Sequence, residues 1–406
     1  MKNSKKINFC RISKTMDLTP VFKIKSLGLT GTFPKKKSHK IVKTPFEVVF
    51  SNKSKLLQLN HNYDPKILYG KNYGYRSGLN PVMINHLKEK SRIIQKKYNL
   101  KDENILDIGA NDGTFISFFN KSHRFAVDPT ITKFKKFYSK NVYKIPKRFE
   151  ESIDGLKNKK FKLITCLAMF YDLEDPVFFL LQAKKILSRD GIIHVEVAYL
   201  PEIIKTFSYD TFCQEHYEYY SFHSLNYLFL KCKLKIINFG FNKINGGSIW
   251  IEASHQENNL NIKTQKNLKL LQNEKKKKID KLITYKKFFF KVKKHSASIR
   301  KILVELKKQK RIIYGFGAST KGNVLLQFGK INGSLIDGIF DINSEKFKSY
   351  TPITKIKIID ENKMKDFQIE YILLLIWHFD KYVIQKIKKI NKKIKIIIPF
   401  PKIKII

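Results

Sequence analysis

Short apolar runs alternate with longer amphipathic stretches from about residue 100 to the end of the chain. Such runs predict buried strands, and the stretches between them predict helices, including one directly after Gly113 and one over residues 177–187. This spacing is typical of βαβ units on mostly parallel sheets, so we expect an α/β fold. The predicted strands are residues 104–108, 124–127, 161–167, 191–197, 311–314, 336–340, 371–376 and 394–398.

Breaks in this alternation divide the chain into four predicted parts. The first part is rich in turns and Lys, with strand-like runs only at residues 44–50 and 55–59. The third part lacks Gly and Pro, and its apolar residues recur at helical spacing, which predicts one or two connecting helices. The parts are a small N-terminal domain (1–88), a first alternating domain (89–255), the connector (256–300) and a smaller second alternating domain (301–406).

The charge of the chain is extreme: its 406 residues carry a formal net charge of +46. The charge fits either a nucleic-acid or acidic-membrane binder or a compositional bias, since Lys, Ile, Asn, Phe and Tyr are abundant together. Arg, which nucleic-acid readers favour for bidentate contacts, is scarce. We therefore expect no nucleic-acid partner and no membrane partner. The basic field would still attract an anionic small molecule.

The cysteines and the N-terminus bear on the compartment. The four cysteines lie far apart, so no disulfide framework is implied, which fits a reducing cytoplasm. The first residues, MKNSKKINF, lack an apolar segment, so we expect no signal peptide. The longest apolar stretch, near residues 371–377, is far too short to span a bilayer. We therefore expect a cytoplasmic protein.

The run LDIGANDGTF at residues 106–115 follows a predicted strand and contains Gly109 and Gly113. These glycines allow a tight turn and a close approach of the backbone to a ligand. Asp107 lies at the carboxyl end of its strand, and Asp128 ends the next strand, where a carboxylate can accept hydrogen bonds from ribose hydroxyls. The spacing Asp-x-Gly-x-x-x-Gly is not that of dinucleotide enzymes. A Gly turn in another α/β fold is the alternative.

This run resembles the first motif of class I S-adenosylmethionine-dependent methyltransferases. The resemblance implies S-adenosylmethionine as cofactor, held by Asp107, Gly109, Asn111, Gly113 and Asp128. The central domain would then have the Rossmann-like fold of that class.

The run DTFCQEHYEYY at residues 210–220 places His216 beside Glu215 among aromatic residues. Proton abstraction in a dry pocket needs such a base, and a nearby carboxylate would favour the protonated imidazole. A base next to a methyl donor suggests methylation of carbon rather than of oxygen or nitrogen. The alternative is an ordinary His in an aromatic cluster.

Seven motifs in order give the chain a resemblance to the nucleotide-sugar C-methyltransferases over nearly its whole length. The ordered set is much more specific than any single member. The motifs are YGYRSGLN (73–80), LDIGANDG (106–113), AMFYDLEDP (168–176), EVAYLP (196–201), DTFCQEHYEYYS (210–221), INGGSIWIEAS (244–254) and YGFGASTKGNVLLQ (314–327).

This resemblance implies a small N-terminal zinc-binding domain, a central class I methyltransferase domain and a C-terminal Rossmann-like domain. The substrate, typically a nucleotide-linked 4-keto-6-deoxy sugar, would lie between domains. The resemblance makes His216 the base, with Glu215 beside it and Tyr75 near the sugar. Residues 315–323 form a Gly-rich strand-to-helix turn that would help hold the diphosphate, unless it only packs. The implied substrate-binding residues are Tyr217, Tyr220, Gly246, Gly247, Gly317, Lys321 and Asn323.

The chain departs from the family pattern at the expected zinc site. Two Cys-x-x-Cys pairs usually hold the metal, but here the positions are Cys10, Ser13, Ser51 and Ser54. Neutral Ser is a poor zinc ligand, so we expect no zinc and no other metal.

Two further departures fall near the expected substrate. Cys213 replaces a Tyr that many deoxysugar members carry, and Asp172 replaces a His found in some. Both changes concern the identity of the sugar more than the reaction type. His378 is assigned no chemistry. The methylated carbon, its stereochemistry and the oligomeric state stay open.

Two alternatives to C-methylation remain from the residues alone. One is a methyltransferase of another acceptor, such as a sugar hydroxyl, with His216 as the base for oxygen. The other is a basic nucleic-acid or membrane-surface binder on a retained methyltransferase fold.

Overall fold

A computed structural model describes residues 4–68, 75–259 and 264–406. Its N-terminal part is antiparallel: the second, third and fourth strands of the chain pair in that order, and the first pairs with the fifth. The strand-like run predicted at residues 44–50 is confirmed, whereas only the end of the run at 55–59 is a strand. The elements are β1 (Ser4–Lys6), β2 (Leu18–Gly28), β3 (Lys43–Ser51), β4 (Leu57–Leu59), β5 (His61–Tyr63) and the short helix α1 (Pro65–Leu68).

Helix α2 (Pro81–Lys97) connects this part to the central domain, and the boundary predicted at residue 88 falls inside it. The Asn80 side chain accepts a hydrogen bond from Val82 N at 2.9 Å, and Pro81 occupies the first turn, where its missing N–H costs nothing. The helix packs Leu87 and Ile94 into an apolar cluster against the central sheet.

The central sheet has seven strands, in the order β12-β13-β10-β9-β6-β7-β8, and only β13 runs antiparallel to its neighbours. The chain moves from β6 outward in both directions, so the carboxyl ends of β6 and β9 form a switch point, where ligands bind in open α/β sheets. The four strands predicted for this domain are confirmed. The strands are β6 (Asn104–Ile108), β7 (His123–Val127), β8 (Val142–Ile145), β9 (Phe161–Leu167), β10 (Leu187–Ala198), β12 (Leu234–Asn242) and β13 (Ser248–His255).

The helix predicted directly after Gly113 is wrong. The structure has only a single 3-10 turn at Ile116–Phe118, because β7 begins at His123 and leaves room for little more. Phe115 and Phe119 fill the space edge to face, with ring centroids 5.2 Å apart. The helix predicted at 177–187 is confirmed as α5. The helices of this domain are α3 (Ile131–Phe134), α4 (Ile153–Leu156), α5 (Pro176–Ile186), α6 (Leu200–Lys205) and α7 (Phe222–Lys231).

Two helices form the connector, and the second runs past the boundary predicted at residue 300. A second, mostly parallel sheet follows, with six strands in the order β16-β15-β14-β17-β18-β19, so the expected second α/β domain is confirmed. None of the described helices is both long and apolar enough to cross a bilayer. The elements are α8 (Thr264–Lys276), α9 (Leu282–Lys308), β14 (Ile313–Phe316), α10 (Thr320–Phe328), β15 (Gly338–Asp341), β16 (Ile358–Asp360), β17 (Tyr371–Leu374), α11 (Asp380–Ile390), β18 (Lys395–Ile398) and β19 (Lys404–Ile405).

Residues 210–220, which we call the base segment, link the N-terminal and central domains. The segment ends in strand β11 (Glu218–Tyr219), which pairs with β4 and so becomes the fourth strand of the N-terminal sheet. Leu59 N also donates to the Tyr217 carbonyl at 2.8 Å. The N-terminal sheet is therefore completed by the part of the central domain that carries the predicted base.

Arg11 fastens the same junction from the N-terminal side. Its fully buried guanidinium donates to the carbonyls of Glu174 and His61, both at 3.0 Å, and stacks over the Tyr217 ring at 4.4 Å. Arg11 Nε also lies 3.7 Å from Oε1 of the buried Glu218. One buried cation thus holds backbone and side chains from three stretches of chain.

The four positions of the expected zinc site converge in space. Cys10 Sγ lies 3.1 Å from Ser54 Oγ, and Ser54 Oγ donates to Ser51 Oγ at 3.0 Å. Ser13 N donates to Cys10 Sγ at 3.4 Å, and Ser51 Oγ donates to Asp17 at 3.0 Å. Hydrogen bonds thus connect the positions that thiolates would fill. No group of three or more His, Cys, Asp or Glu within the described ranges could hold a metal ion.

We expect purified protein to contain no stoichiometric zinc, because a single thiol and three hydroxyls give too little ligand charge. Elemental analysis checks the content, and thermal unfolding with and without a chelator should give the same midpoint. The matched control replaces Ser13, Ser51 and Ser54 with Cys, which should create a chelator-sensitive zinc site. One tightly bound zinc per wild-type chain would contradict the expectation.

Candidate active site

A cavity of about 710 Å³ lies between the central and C-terminal sheets. Its walls are the loops after β6, β7 and β9, the base segment, and the turn between β14 and α10. The loops after parallel strands thus face one another across the cleft, which is where open α/β sheets bind ligands.

The turn at residues 107–113, called the donor loop, depends on left-handed backbone. Gly109 has φ +75° and Gly113 has φ +77°, and Asn111 between them also has positive φ. A Cβ on Gly109 would lie 2.5 Å from Met169 Cγ, and one on Gly113 would lie 2.6 Å from the Tyr138 ring. Both glycines are required by conformation and by space, as their spacing predicted.

The two predicted carboxylates meet at this loop. Asp107 accepts a hydrogen bond from Thr165 Oγ1 at 2.7 Å, while Asp128 accepts from Asn111 N at 2.9 Å and from Thr130 N at 2.6 Å. Burial raises the pKa of Asp107 to about 7 and also raises the pKa of Asp128. Because both groups line the cavity, a cationic ligand there would favour their ionised forms.

The motif at residues 73–80 contacts the donor loop through hydrogen bonds and an ion pair. Ser77 N donates to Asn111 Oδ1 and Gly78 N to Asp112 Oδ2, both at 2.9 Å, and Arg76 Nε lies 3.3 Å from the same Asp112 oxygen. Tyr75 lines the cavity with 46% of its surface exposed. Residues 73 and 74 of this motif lie outside the described residues.

His216 lines the same cavity, and its hydrogen bonds define its tautomer. Nδ1 lies 2.7 Å from the Thr211 carbonyl oxygen, which can only accept, so Nδ1 carries the hydrogen. The lone pair is therefore on Nε2, which has no hydrogen-bond partner among the described residues. The Tyr171 ring packs edge-on against the imidazole at 4.4 Å. This arrangement is a neutral imidazole held ready to accept a proton.

The pKa of His216 shifts in the direction opposite to the one expected beside a carboxylate. Burial lowers the pKa to about 4, the Thr211 hydrogen bond raises it, and the charge of Lys321 lowers it. The Glu215 side chain lines the cavity but accepts from Thr30 Oγ1 at 3.1 Å, and burial raises its own pKa. Burial and the charge of Lys321 thus lower the pKa of His216, contrary to the expectation that Glu215 would raise it.

We expect the activity that depends on His216 to persist in acid. A base must be neutral to accept a proton, and a pKa lowered to about 4 keeps His216 neutral well below the ordinary midpoint of 6.5. Solvent exchange of a keto substrate without methyl donor should therefore change little between pH 7.5 and 5.5 and fall near pH 4. Omission of the donor avoids contributions from the donor-loop carboxylates. A half-maximal rate near pH 6.5 would contradict the assignment.

The predicted substrate residues divide into two groups. Tyr217, Gly317 and Lys321 line the cavity, whereas Tyr220, Gly246, Gly247 and Asn323 do not. Tyr220 is fully buried against Phe170, with ring centroids 5.6 Å apart.

The other predicted substrate residues that do not line the cavity occupy different places in the fold. Asn323 is buried and donates to the Thr30 carbonyl at 2.7 Å, which joins the C-terminal domain to the N-terminal one. Gly246 and Gly247 have φ +89° and +119° and line a second cavity behind the first. Nothing in the spacing of these residues could reveal which face of the turn or helix meets the cleft. Cys213 is fully buried and outside the cavity lining, as expected of a packing residue.

The turn at residues 315–322, called the Gly-rich turn, forms the C-terminal wall. Gly317 has φ +89°, and a Cβ there would lie 2.6 Å from Ile376. Ala318 N donates to Asp341 Oδ2 at 2.7 Å, and Ser319 caps α10 by accepting from Gly322 N at 2.9 Å. Asp341 thus accepts a hydrogen bond from the backbone of this turn, as Asp128 does from the donor loop. Each acid lies at the end of a strand, so the sequence could have predicted this similarity.

Sequence reasoning assigned no role to Glu196, which the structure places in the cavity wall. Its carboxylate lies 2.6 Å from Lys90 Nζ and 3.0 Å from His86 Nε2. Burial raises the pKa of Glu196, but these partners lower it to about 2. His378, to which no chemistry was assigned, also lines the cavity. Only the EVAYLP motif signalled Glu196, because Lys90 and His86 come from a distant helix.

Two known domain families match the sequence of this chain. A methyltransferase domain matches residues 84–238, and a C-methyltransferase C-terminal domain matches residues 243–401. The chain is an S-adenosylmethionine-dependent methyltransferase. It carries the C-methyltransferase C-terminal domain directly after the methyltransferase domain, and the two matches together span most of the chain.

The chain is similar to several known proteins over different lengths. The C-methyltransferase NovU of Streptomyces niveus is 24% identical over 369 residues, which cover 89% of this chain and 87% of that protein. The tRNA U34 carboxymethyltransferase of Campylobacter lari is 31% identical over 110 residues, covering 25% of this chain and 38% of that one. Magnesium protoporphyrin IX methyltransferase from Synechocystis PCC 6803 with bound SAH has a TM-score of 0.35 and 12% identity, covering 43% and 88%.

The donor loop fits S-adenosylmethionine. Its glycines keep the backbone free of side chains, and Asp128 lies at the strand end where ribose hydroxyls bind. When bound, the cofactor supplies an electrophilic methyl group on a sulfonium sulfur. Asp107, Asn111 and Asp128 are the side chains that would hold it.

Proposed function

We propose that this protein methylates a carbon next to the keto group of a nucleotide-linked sugar. The observation that carries the proposal is the free Nε2 of His216 in the same cavity as the donor loop. A carbon needs an enolate before it can attack a methyl group, and an enolate needs a base beside the donor. Methylation of a simple amine would not require this base.

His216 would act as that base. The C–H bond next to the carbonyl breaks, its proton moves to Nε2, and its electron pair forms the enolate. The methyl group would come from S-adenosylmethionine held by Asp107, Asn111 and Asp128, with the electrons of the S–CH₃ bond left on sulfur and the carbonyl re-formed. Tyr75 and Tyr171 would line the sugar pocket and exclude water, and the fixed loops hold donor and acceptor in reacting geometry.

The acceptor's nucleotide diphosphate would lie against the Gly-rich turn. Helix α10 begins there, and a helix N-terminus favours a phosphate because of its unpaired N–H groups and its dipole. The net charge of +46 would draw an anionic substrate toward the cleft. We also propose a cytoplasmic location, because the four free cysteines are all buried and unbridged.

One experiment tests the reaction type. Nucleotide-linked 4-keto-6-deoxy sugars are incubated with the protein in deuterated water, first without and then with S-adenosylmethionine. We expect deuterium to enter the carbon next to the keto group without the donor, and one methyl group to join a carbon with it. Methyl transfer without any exchange, or a methyl group located on oxygen, would overturn carbon methylation in favour of a hydroxyl acceptor.

A further inference from the structure

Lys321 occupies an unusual place for a phosphate-binding lysine. It lies in the first turn of α10, and its Nζ crosses the cleft to donate to the Asn245 carbonyl at 2.8 Å. Both residues line the cavity that contains His216. The ammonium of the C-terminal domain is therefore fixed against the central domain, on the side of the predicted base. An ammonium has three hydrogens, so two remain after the Asn245 contact.

The charge of a buried carboxylate, Asp210, opposes the effect of burial on this ammonium. Asp210, in the base segment, is only 1% exposed, and its Oδ2 accepts from Trp377 Nε1 at 2.8 Å. Its Oδ1 is buried and has no hydrogen-bond partner among the described residues. Burial lowers the pKa of Lys321 and raises that of Asp210, and the charge of each opposes the shift of the other. Asp210 thus favours the charged form of Lys321, while burial acts against it.

Other cations of the cavity have different partners. Arg76 lies against Asp112, and Arg148 Nη2 lies 3.6 Å from Glu150. Lys346 Nζ donates to the Ala318 carbonyl at 2.7 Å, beside Asp341. Lys321 differs because its charge acts on both His216 and His378. Its ammonium is thus held at Asn245, in the cavity that His216 lines, rather than at the Gly-rich turn.

We propose that Lys321 stabilises the enolate oxygen that forms when His216 removes the proton, instead of holding the diphosphate. This inference rests on the proposed function. As the C–H electron pair moves into the new C=C bond, the carbonyl oxygen becomes negative, and a fixed N–H donor gains interaction energy as that charge develops. The Lys321 proton is shared in a hydrogen bond and not transferred. Asp210 and Trp377 are positioning residues for the ammonium.

The test measures solvent exchange of a nucleotide-linked keto sugar in the absence of methyl donor. Removal of one oxyanion donor typically costs 10²–10³-fold, so Lys321→Met should lower the exchange rate by about that factor. Lys321→Arg keeps the charge and should remain within about tenfold of wild type. The acid limb of the exchange profile should also move to higher pH in Lys321→Met, because the cation that lowers the His216 pKa is gone.

Controls separate the alternatives. Lys308→Met, on the exposed face of α9, should exchange like wild type. A Lys321→Met variant with a higher KM and unchanged kcat would overturn the proposal in favour of a diphosphate contact. Equal losses in the Met and Arg variants, with an unmoved pH profile, would overturn it in favour of a structural role. If wild type itself fails to exchange, the proposed function has failed, which is a distinct result.

Discussion

Replacement of His216 by Asn is expected to lower solvent exchange and methyl transfer by about 10³-fold, within the range that a general base contributes. The amide of Asn can still donate to the Thr211 carbonyl, as Nδ1 does at 2.7 Å. It has no counterpart of Nε2, so the base is lost while the local hydrogen bond is kept. Binding of S-adenosylmethionine, measured by calorimetry, should change less than twofold because the donor loop is untouched.

A matched control is His123→Asn, which changes an exposed His at the start of β7. We expect wild-type exchange and methyl transfer from this variant. Exchange by His216→Asn within tenfold of wild type would show that another group removes the proton. Loss of donor binding in parallel with activity would show that the substitution acts on the fold instead.

The second large effect concerns stability: replacement of Arg11 by Met should lower the free energy of unfolding by about 3–5 kcal/mol. The substitution removes a buried guanidinium that donates hydrogen bonds to the carbonyls of Glu174 and His61 and lies beside Glu218. These acceptors would stay buried without a donor, which is the costly case. Chemical denaturation followed by fluorescence gives the change.

Arg92→Met is the matched control for this prediction. Arg92 is 77% exposed in its side chain and pairs with Glu89 one turn away, so its removal should leave the free energy of unfolding nearly unchanged. The double variant Arg11→Met/Glu218→Met should recover part of the loss, because burial already raises the pKa of Glu218 and favours a neutral group there. Equal effects of Arg11→Met and Arg92→Met would refute the role of burial.

The periodicity of the sequence predicted four strands of each α/β sheet, because hydrophobic periodicity is a local property. Strands 104–108 and 161–167 occur with the predicted bounds, and the glycines of the donor loop form the predicted tight turn, with positive φ. The helix after Gly113 failed because its length depends on where the next strand begins, which is a tertiary matter. Local pattern thus determines the type of an element better than its extent.

At the candidate site, too, the sequence predicted which segments take part but not which side chains reach the cavity. Glu215 and His216 both line the cavity, but Glu215 accepts from Thr30 while His216 Nδ1 lies against the Thr211 carbonyl. Asn323 likewise follows the Gly-rich turn in sequence but joins two domains. A family motif identifies residues that matter without telling which of them meets the ligand. The distance from Lys321 to Asn245 depends on the packing of two domains, which no motif encodes.

The pairing of β11 with β4 has a consequence for how this enzyme can be divided. The first matched domain begins at residue 84, so a chain shortened to that residue would keep the base and the donor loop. It would lose Tyr75 and the contacts of Arg76, Ser77 and Gly78 with the donor loop. It would nevertheless leave Glu218 and Tyr219 without the strand that holds them, two residues from His216. The N-terminal domain therefore supports the base segment through strand pairing, and it cannot be removed without loss of that support. Chimeras that exchange it between relatives should alter catalysis, even though it contributes no base and no donor loop.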